Sequence, residues 1–297
     1  MRSNIEFTIS KVLKRLPFKK IEYKYNAHRH NRVKKELAPF FEEAYNSFTR
    51  YSEQKVNNTV WIFWWQGEDS MPPIVLKCYK SILTNASNKK VILITKENIK
   101  SFTDIPDYIF DKLENGNITF THFSDILRAN LLKNNGGLWM DATLYVTRSL
   151  DNIDLSKLYY CSGYPSESFN ISYGRWTGFF MGGPSGMDLM SFMDQVYRIY
   201  WKTESKIPDY FFIDYALDYA WNKNISNFRS LEKEYATNEP HLFDLQEILN
   251  NRFSQQTMNL LTADTNVFKL SYKKKINFND NDNFFNNLGG EYFDDEA

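Results

Sequence analysis

Asp125 and Arg128 stand three residues apart, and Asp141 and Thr143 stand two apart within NNGGLWMDATLYV, residues 134–146. A spacing of three on a helix makes neighbours, so this carboxylate and guanidinium share a face. Arg grips a phosphate through two parallel hydrogen bonds, and Asp accepts from ribose or sugar hydroxyls. A spacing of two on a strand also shares a face. It aligns Trp139, Asp141, Thr143 and Tyr145, and turns Leu138, Met140, Ala142, Leu144 and Val146 the other way. An aromatic plate, a carboxylate and a hydroxyl together can hold a sugar, a phosphate-bound metal, or both. The bland alternatives are a surface ion pair, which stabilises by under about 1 kcal/mol, and an ordinary solvated strand face.

Other residues carry weaker signals. In FWWQGED, residues 63–69, Trp64 and Trp65 alternate faces, so one reaches the core and the other offers an indole on which a base or sugar ring can stack. Two packed core tryptophans fit equally well. YFFIDYALDYAW, residues 210–221, puts Asp214 and Asp218 on one face of an amphipathic helix, with Asp214 a candidate acid or hydroxyl-binding group. His28 and His30 read as solvated, and MGGPSG, residues 181–186, as a flexible turn. The chain has no GxxxxGK[ST] phosphate loop, no strand–GxGxxG–helix fingerprint and no zinc-spaced His/Cys pairs, which argues against P-loop NTPases and nicotinamide enzymes.

The elements that must position these residues are regular. Residues 59–65, 91–95 and 117–123 are β-branched or aromatic runs that suit strands. Residues 72–84 and 104–114 between them read as helices. Ser124 is the expected N-cap of a further helix that stops at Gly136-Gly137, before the strand that carries Asp141. The resulting β-α-β-α-β-α-β order predicts an α/β fold with a mostly parallel Rossmann-like sheet flanked by helices, whose ligands collect at the carboxyl ends of the strands. Helices are expected at 187–202 and 209–222.

With 297 residues, 42% of them hydrophobic, the chain can bury a large core in one main domain. Its 36 basic and 36 acidic residues balance, which gives no general attraction to nucleic acid. Locally they do not balance: residues 1–58 hold 13 Lys/Arg against 6 Glu, and residues 276–297 hold 6 Asp/Glu with no Lys or Arg. Residues 1–58 therefore read as a basic, helical N-terminal extension, either solvated or in peripheral contact with an anionic membrane. Residues 59–270 read as the main domain and 271–297 as an acidic Asn/Asp-rich tail whose aromatics can dock. Two isolated cysteines, Cys78 and Cys161, and the absence of a leader-like or membrane-spanning run lead us to expect a cytoplasmic protein, with the inner face of the cell membrane as a candidate location.

VWIFWWQGEDSMPPIVLKCYKSI (residues 60–82) and THFSDILRANLLKNNGGLWMDATLYV (residues 121–146) together resemble the bacterial capsular polysaccharide synthesis glycosyltransferases. These are relatives of the glycosyltransferases with a DXD sugar-binding motif, similar to glycosyltransferase family 32. The resemblance is strong over 59–150 and loose over 151–270. It implies a GT-A fold, a nucleotide diphosphate sugar donor such as a UDP-sugar, an oligosaccharide or lipid-linked glycan acceptor, and retention of anomeric configuration. By position it implies that Asp125 and Arg128 bind the donor's sugar and phosphates, that Trp64 and Gln66 lie near the base, and that Trp139 flanks the donor. Asp141 matches the first Asp of DXD, while Thr143 stands where the second would be. A Mn²⁺ or Mg²⁺ ion held by Asp141 and Thr143 would then have a weaker ligand than usual, because hard cations prefer carboxylate oxygens. The same substitution keeps open a catalytically silent module that binds a nucleotide sugar or glycan.

Overall fold

The computed structural model describes residues 2–163 and 167–289. Two helices, α1 (Arg2–Lys14) and α2 (Lys19–Ser47), come first. Then follow β1 (Thr59–Phe63), α3 (Pro73–Asn85), β2 (Lys90–Ile94), α4 (Asp107–Glu114), α5 (Phe120–Asn135), β3 (Gly137–Met140) and β4 (Leu144–Val146). The remainder comprises β5 (Tyr159–Tyr160), β6 (Phe180–Gly183), α6 (Asp188–Thr203), α7 (Phe212–Asn222), α8 (Asp244–Ile248), α9 (Gln255–Thr262), β7 (Val267–Lys269) and α10 (Phe284–Asn287).

Five strands form the central sheet in the order β2-β1-β3-β6-β5, and β4 pairs with β7 apart from it. Both β2 and β3 run parallel to β1, whereas β6 runs antiparallel to β3 and to β5. The sheet is therefore mixed, not mostly parallel. The chain leaves β3 into the β4 lobe and re-enters the sheet first as β5, which runs in the same direction as β3; β6 then runs back between them. Residues 180–183 enter the sheet as β6, between β3 and β5, so the flexible turn expected at 181–186 is confined to its second half.

Two other expectations fail for local reasons. Residues 117–123 do not form a strand. Thr119 Oγ1 accepts from the His122 backbone N–H at 3.2 Å, a side-chain cap that starts α5 at Phe120, four residues before Ser124. Phe120 and Phe123, which look like strand residues, pack against Trp65 at ring-centre distances of 5.6 and 5.9 Å. The strand expected to run through Asp141 is also broken. The Leu144 N–H donates to the Asp141 carbonyl at 3.0 Å, closing a turn between β3 and β4. The turn resets the alternation: Tyr145 joins Leu144 and Val146 in one core cluster, while Trp139 lies in the other.

Those clusters cover the two faces of the sheet. One gathers α2, α5, α6 and α7; the other gathers α3, β4, β7 and the residues after α9. Helix α2 buries Val33, Leu37, Phe41 and Ala44 at helical spacing, and it packs against α6 and α7. Full burial of each large apolar side chain contributes roughly 1.5–3 kcal/mol. His30, expected to be solvated, lies in this stripe. Its Nδ1 is 2.7 Å from Tyr215 Oη and its Nε2 is 2.9 Å from the Ser168 carbonyl, and burial pushes its pKa down to about 4. At the other end Phe284, Phe285 and Leu288 are buried, and Lys77 Nζ donates to the Leu288 carbonyl at 2.6 Å. The last acidic residues, 291 and 294–296, lie outside the described residues. No helix among the described residues is long and apolar enough to cross a membrane.

The Gly136-Gly137 pair ends α5 and starts β3. Gly136 has φ +67° and Gly137 φ +100°, and a Cβ on Gly137 would fall 2.4 Å from the Thr59 carbonyl oxygen. Only glycine fits there, and the sharp exit delivers β3 alongside β1.

Candidate functional site

Beyond the carboxyl end of β3 lies a cavity of about 510 Å³. Its walls include Asp125 and Arg128 from α5, Asp141 and Thr143 from the β3–β4 turn, Asp214 from α7, and Lys269 from β7. Four of these form a continuous charge array. Arg128 Nη1 is 3.3 Å from Asp125 Oδ1, Arg128 Nη2 is 3.3 Å from Asp141 Oδ1, and Lys269 Nζ is 2.7 Å from Asp141 Oδ2. The spacing of three between Asp125 and Arg128 thus yields the shared helix face expected of it.

Trp139 supports the array from below. It is buried, its Nε1–H donates to Asp141 Oδ1 at 2.9 Å, and its ring centre lies 5.0 Å from the Arg128 guanidinium carbon. Gly178 completes the seat: a Cβ there would fall 2.8 Å from Arg128 Nη1. Arg128 is itself buried, and its Nε–H finds no acceptor among the described residues. Burial pushes the Asp141 carboxyl up, but Lys269 and then Arg128 outweigh it and hold the group below its ordinary range.

Asp214 has the opposite balance. Burial pushes its pKa up to about 7; the Trp176 hydrogen bond opposes this, and the Asp125 charge adds to it. Trp176 Nε1 donates to Oδ1 at 3.0 Å and Asn170 Nδ2 to Oδ2 at 3.3 Å. Two of the cavity's carboxyls therefore differ: Asp141 is held ionised, whereas Asp214 exchanges its proton near neutrality.

Not every sequence candidate lines the cavity. Trp139 lies beneath it, and Gln66 is exposed at the exit of β1. Trp64 is half-buried, with its ring edge-on to Tyr272 at 5.8 Å, and Tyr272 does line the wall. Lys269, Trp176 and Asn170 are site residues that the sequence reading missed. Lys269 sits in TNVFKLSYK, a strand-like run whose pairing with β4 has no local signature.

The residues present do not fit a divalent ion held by the protein. Asp141 Oδ2 already accepts from an ammonium, Oδ1 from an indole and a guanidinium, and Thr143 supplies no carboxylate. Among the described residues, no three His, Cys, Asp or Glu side chains are grouped so as to hold a metal.

The class is an α/β domain whose mixed sheet, flanked by helices, ends in a polar cavity with paired acidic and basic side chains. The sequence model of the family described as "Capsular polysaccharide synthesis protein" matches residues 13–288, and the chain belongs to that family. No curated protein matches it. A solved structure described as "PaToxG Glycosyltransferase" is similar over 78% of this chain and 94% of its own, at 11% identity and a TM-score of 0.39.

Proposed function

We propose that this chain is a GT-A-type glycosyltransferase of capsular or other surface polysaccharide assembly. It moves a sugar from a nucleotide diphosphate donor, such as a UDP-sugar, to a hydroxyl of an oligosaccharide or lipid-linked glycan, with retention of configuration. The observation that carries this reading is the seating of Arg128 between Asp125 and Asp141 at the wall of the cavity. A guanidinium fixed by two carboxylates and an indole is oriented before any ligand arrives, and such preorganisation is what stabilises a departing diphosphate.

The roles follow from the chemistry of each group. Arg128 binds the diphosphate, Asp125 accepts from donor hydroxyls, and Asp141 holds Arg128 in register. Trp64, beside Tyr272 at the rim, offers a ring face to the base. Asp214, with a pKa near 7, exchanges hydrogen bonds with a sugar hydroxyl in either protonation state. In the transfer, the bond from the anomeric carbon to the phosphate oxygen breaks with its electron pair leaving on the diphosphate. The acceptor oxygen bonds to the same face of that carbon, and its proton passes to the departing phosphate.

Incubation with a panel of nucleotide diphosphate sugars and glycan acceptors, followed by NMR of the anomeric protons, tests the reading. One donor should give a product with the donor's anomeric configuration. Binding of donors without transfer to any acceptor would favour a silent module, and an inverted product would remove the same-face mechanism.

A further inference from the structure

Asp141 supplies a firmly ionised carboxylate, and its Oδ2 is committed to Lys269 at 2.7 Å. A divalent ion on that oxygen would sit beside an ammonium group, and like-charge repulsion at such range is strongly unfavourable. Compared with a site of two carboxylates, Thr143 removes one negative charge and Lys269 adds one positive charge. The difference is +2, which equals the charge that a divalent ion brings. Lys269 is held for the purpose: it ends β7 opposite Leu144, and its ammonium lies 4.5 Å from the Phe179 ring centre. An ammonium has three donors, so the bond to Asp141 leaves two for another acceptor at the cavity wall.

We infer that Lys269 acts with Arg128 in place of a divalent cation, donating hydrogen bonds to the donor's diphosphate and to the diphosphate as it leaves. This rests on the donor reading above. Titration calorimetry of UDP, GDP and ADP against the full chain, in EDTA and again in Mn²⁺, separates the two. The diphosphate that binds should do so in EDTA with a Kd within about threefold of its Mn²⁺ value. Lys269→Met should weaken that binding by tenfold or more and leave the matching nucleoside unaffected, while Lys269→Arg should retain most of it. Strict Mn²⁺ dependence would overturn the inference and leave the donor reading intact, as would equal weakening of nucleoside and diphosphate. Binding of no nucleoside diphosphate under either condition would overturn both.

An independent observation concerns α1 and the elbow into α2. Ile5, Ile9 and Val12 recur on one side of α1 and are 55, 41 and 53% exposed; Phe18 and Ile21 at the elbow are 57 and 55% exposed. Arg15, Lys19 and Lys20 are exposed on the same segment. An apolar stripe with basic flanks is the chemistry of a helix that lies in an anionic lipid interface. The inner side of α1 points to the cavity: Phe7 stacks on Tyr210 at 4.9 Å, and Tyr210 lines the wall.

The geometry points to the α1–α2 elbow as a docking surface for an anionic bilayer, with α1 lying between the lipid and the cavity rim. Co-sedimentation of the full chain with phosphatidylcholine vesicles, with and without phosphatidylglycerol, tests it. Binding should need the anionic lipid, weaken in high salt, and fall at least tenfold in the Ile9→Glu/Val12→Glu variant while its thermal melting stays unchanged. Vesicle binding that ignores the variant would overturn the proposal. So would an absence of vesicle binding together with a dimer in solution that the variant dissociates, which would assign the stripe to a second copy.

Discussion

Lys269 Nζ stands 2.7 Å from Asp141 Oδ2, although 128 residues separate the two in the chain. The contact joins β7 to the β3–β4 turn, so this wall of the cavity is assembled only when β7 has paired with β4. Asp141 is the centre of that assembly because it meets Arg128 on its other oxygen.

Asp141→Asn removes the charge that holds both cations while keeping the side chain's shape. Donor turnover should fall by about 100-fold or more, since misplacing an oriented electrostatic group costs on that order. Circular dichroism should be unchanged, and near-normal turnover would remove Asp141 from the mechanism.

Gly178→Ala is a finer test of the Arg128 seat. The added methyl meets Nη1 at 2.8 Å and Ile213 Cδ1 at 3.0 Å, so the guanidinium must move. Affinity for the nucleoside diphosphate should drop roughly tenfold, the equivalent of one hydrogen bond of about 1–1.5 kcal/mol. Calorimetry on the folded variant measures this directly.

Asp214 makes stability depend on pH with a definite sign. Its folded-state pKa, near 7, lies above its unfolded value, so between about pH 4 and 7 the folded state binds the extra proton. The contribution is fully present below the unfolded pKa and is lost as pH rises through 7. The stability difference between wild type and Asp214→Asn, from urea unfolding at several pH values, should shift against wild type over that window. A flat difference would contradict the assignment.

Arg29 and Asp209 form a buried pair, Nε to Oδ2 at 3.1 Å, that ties α2 to the segment before α7. Arg29→Met leaves the carboxylate buried without its partner and should cost about 3–5 kcal/mol in unfolding free energy. Tyr210 and Phe211, which follow Asp209, line the cavity, so donor affinity should fall along with stability. A loss below about 1 kcal/mol would mean that water reaches the pair.

What the sequence made legible follows from how local each signal is. Asp125 and Arg128 were readable because helical spacing alone makes them neighbours. The buried β1 and the helices near 73–85 and 188–203 were readable from apolar periodicity. The start of α5 was misread because one hydroxyl, Thr119 Oγ1, overrides the strand-like composition of 117–123. The break after Met140 was misread because a turn formed by Asp141, Ala142 and Thr143 needs no glycine or proline. Lys269 was invisible since its role depends on a pairing between β4 and β7, strands that lie far apart in the chain. Asp214 was visible as a candidate, but its raised pKa depends on Trp176, Asn170 and Asp125 around it.

In the proposed reaction Arg128 stabilises a departing nucleoside diphosphate. The most direct test of this role is the rate of diphosphate release from nucleotide diphosphate sugars with a glycan acceptor, for wild type against Arg128→Met. We predict release from one donor by wild type and a fall of about 1,000-fold in the variant, as for loss of a main electrostatic contact. Equal release by both proteins, or none by wild type from any donor, would contradict the account.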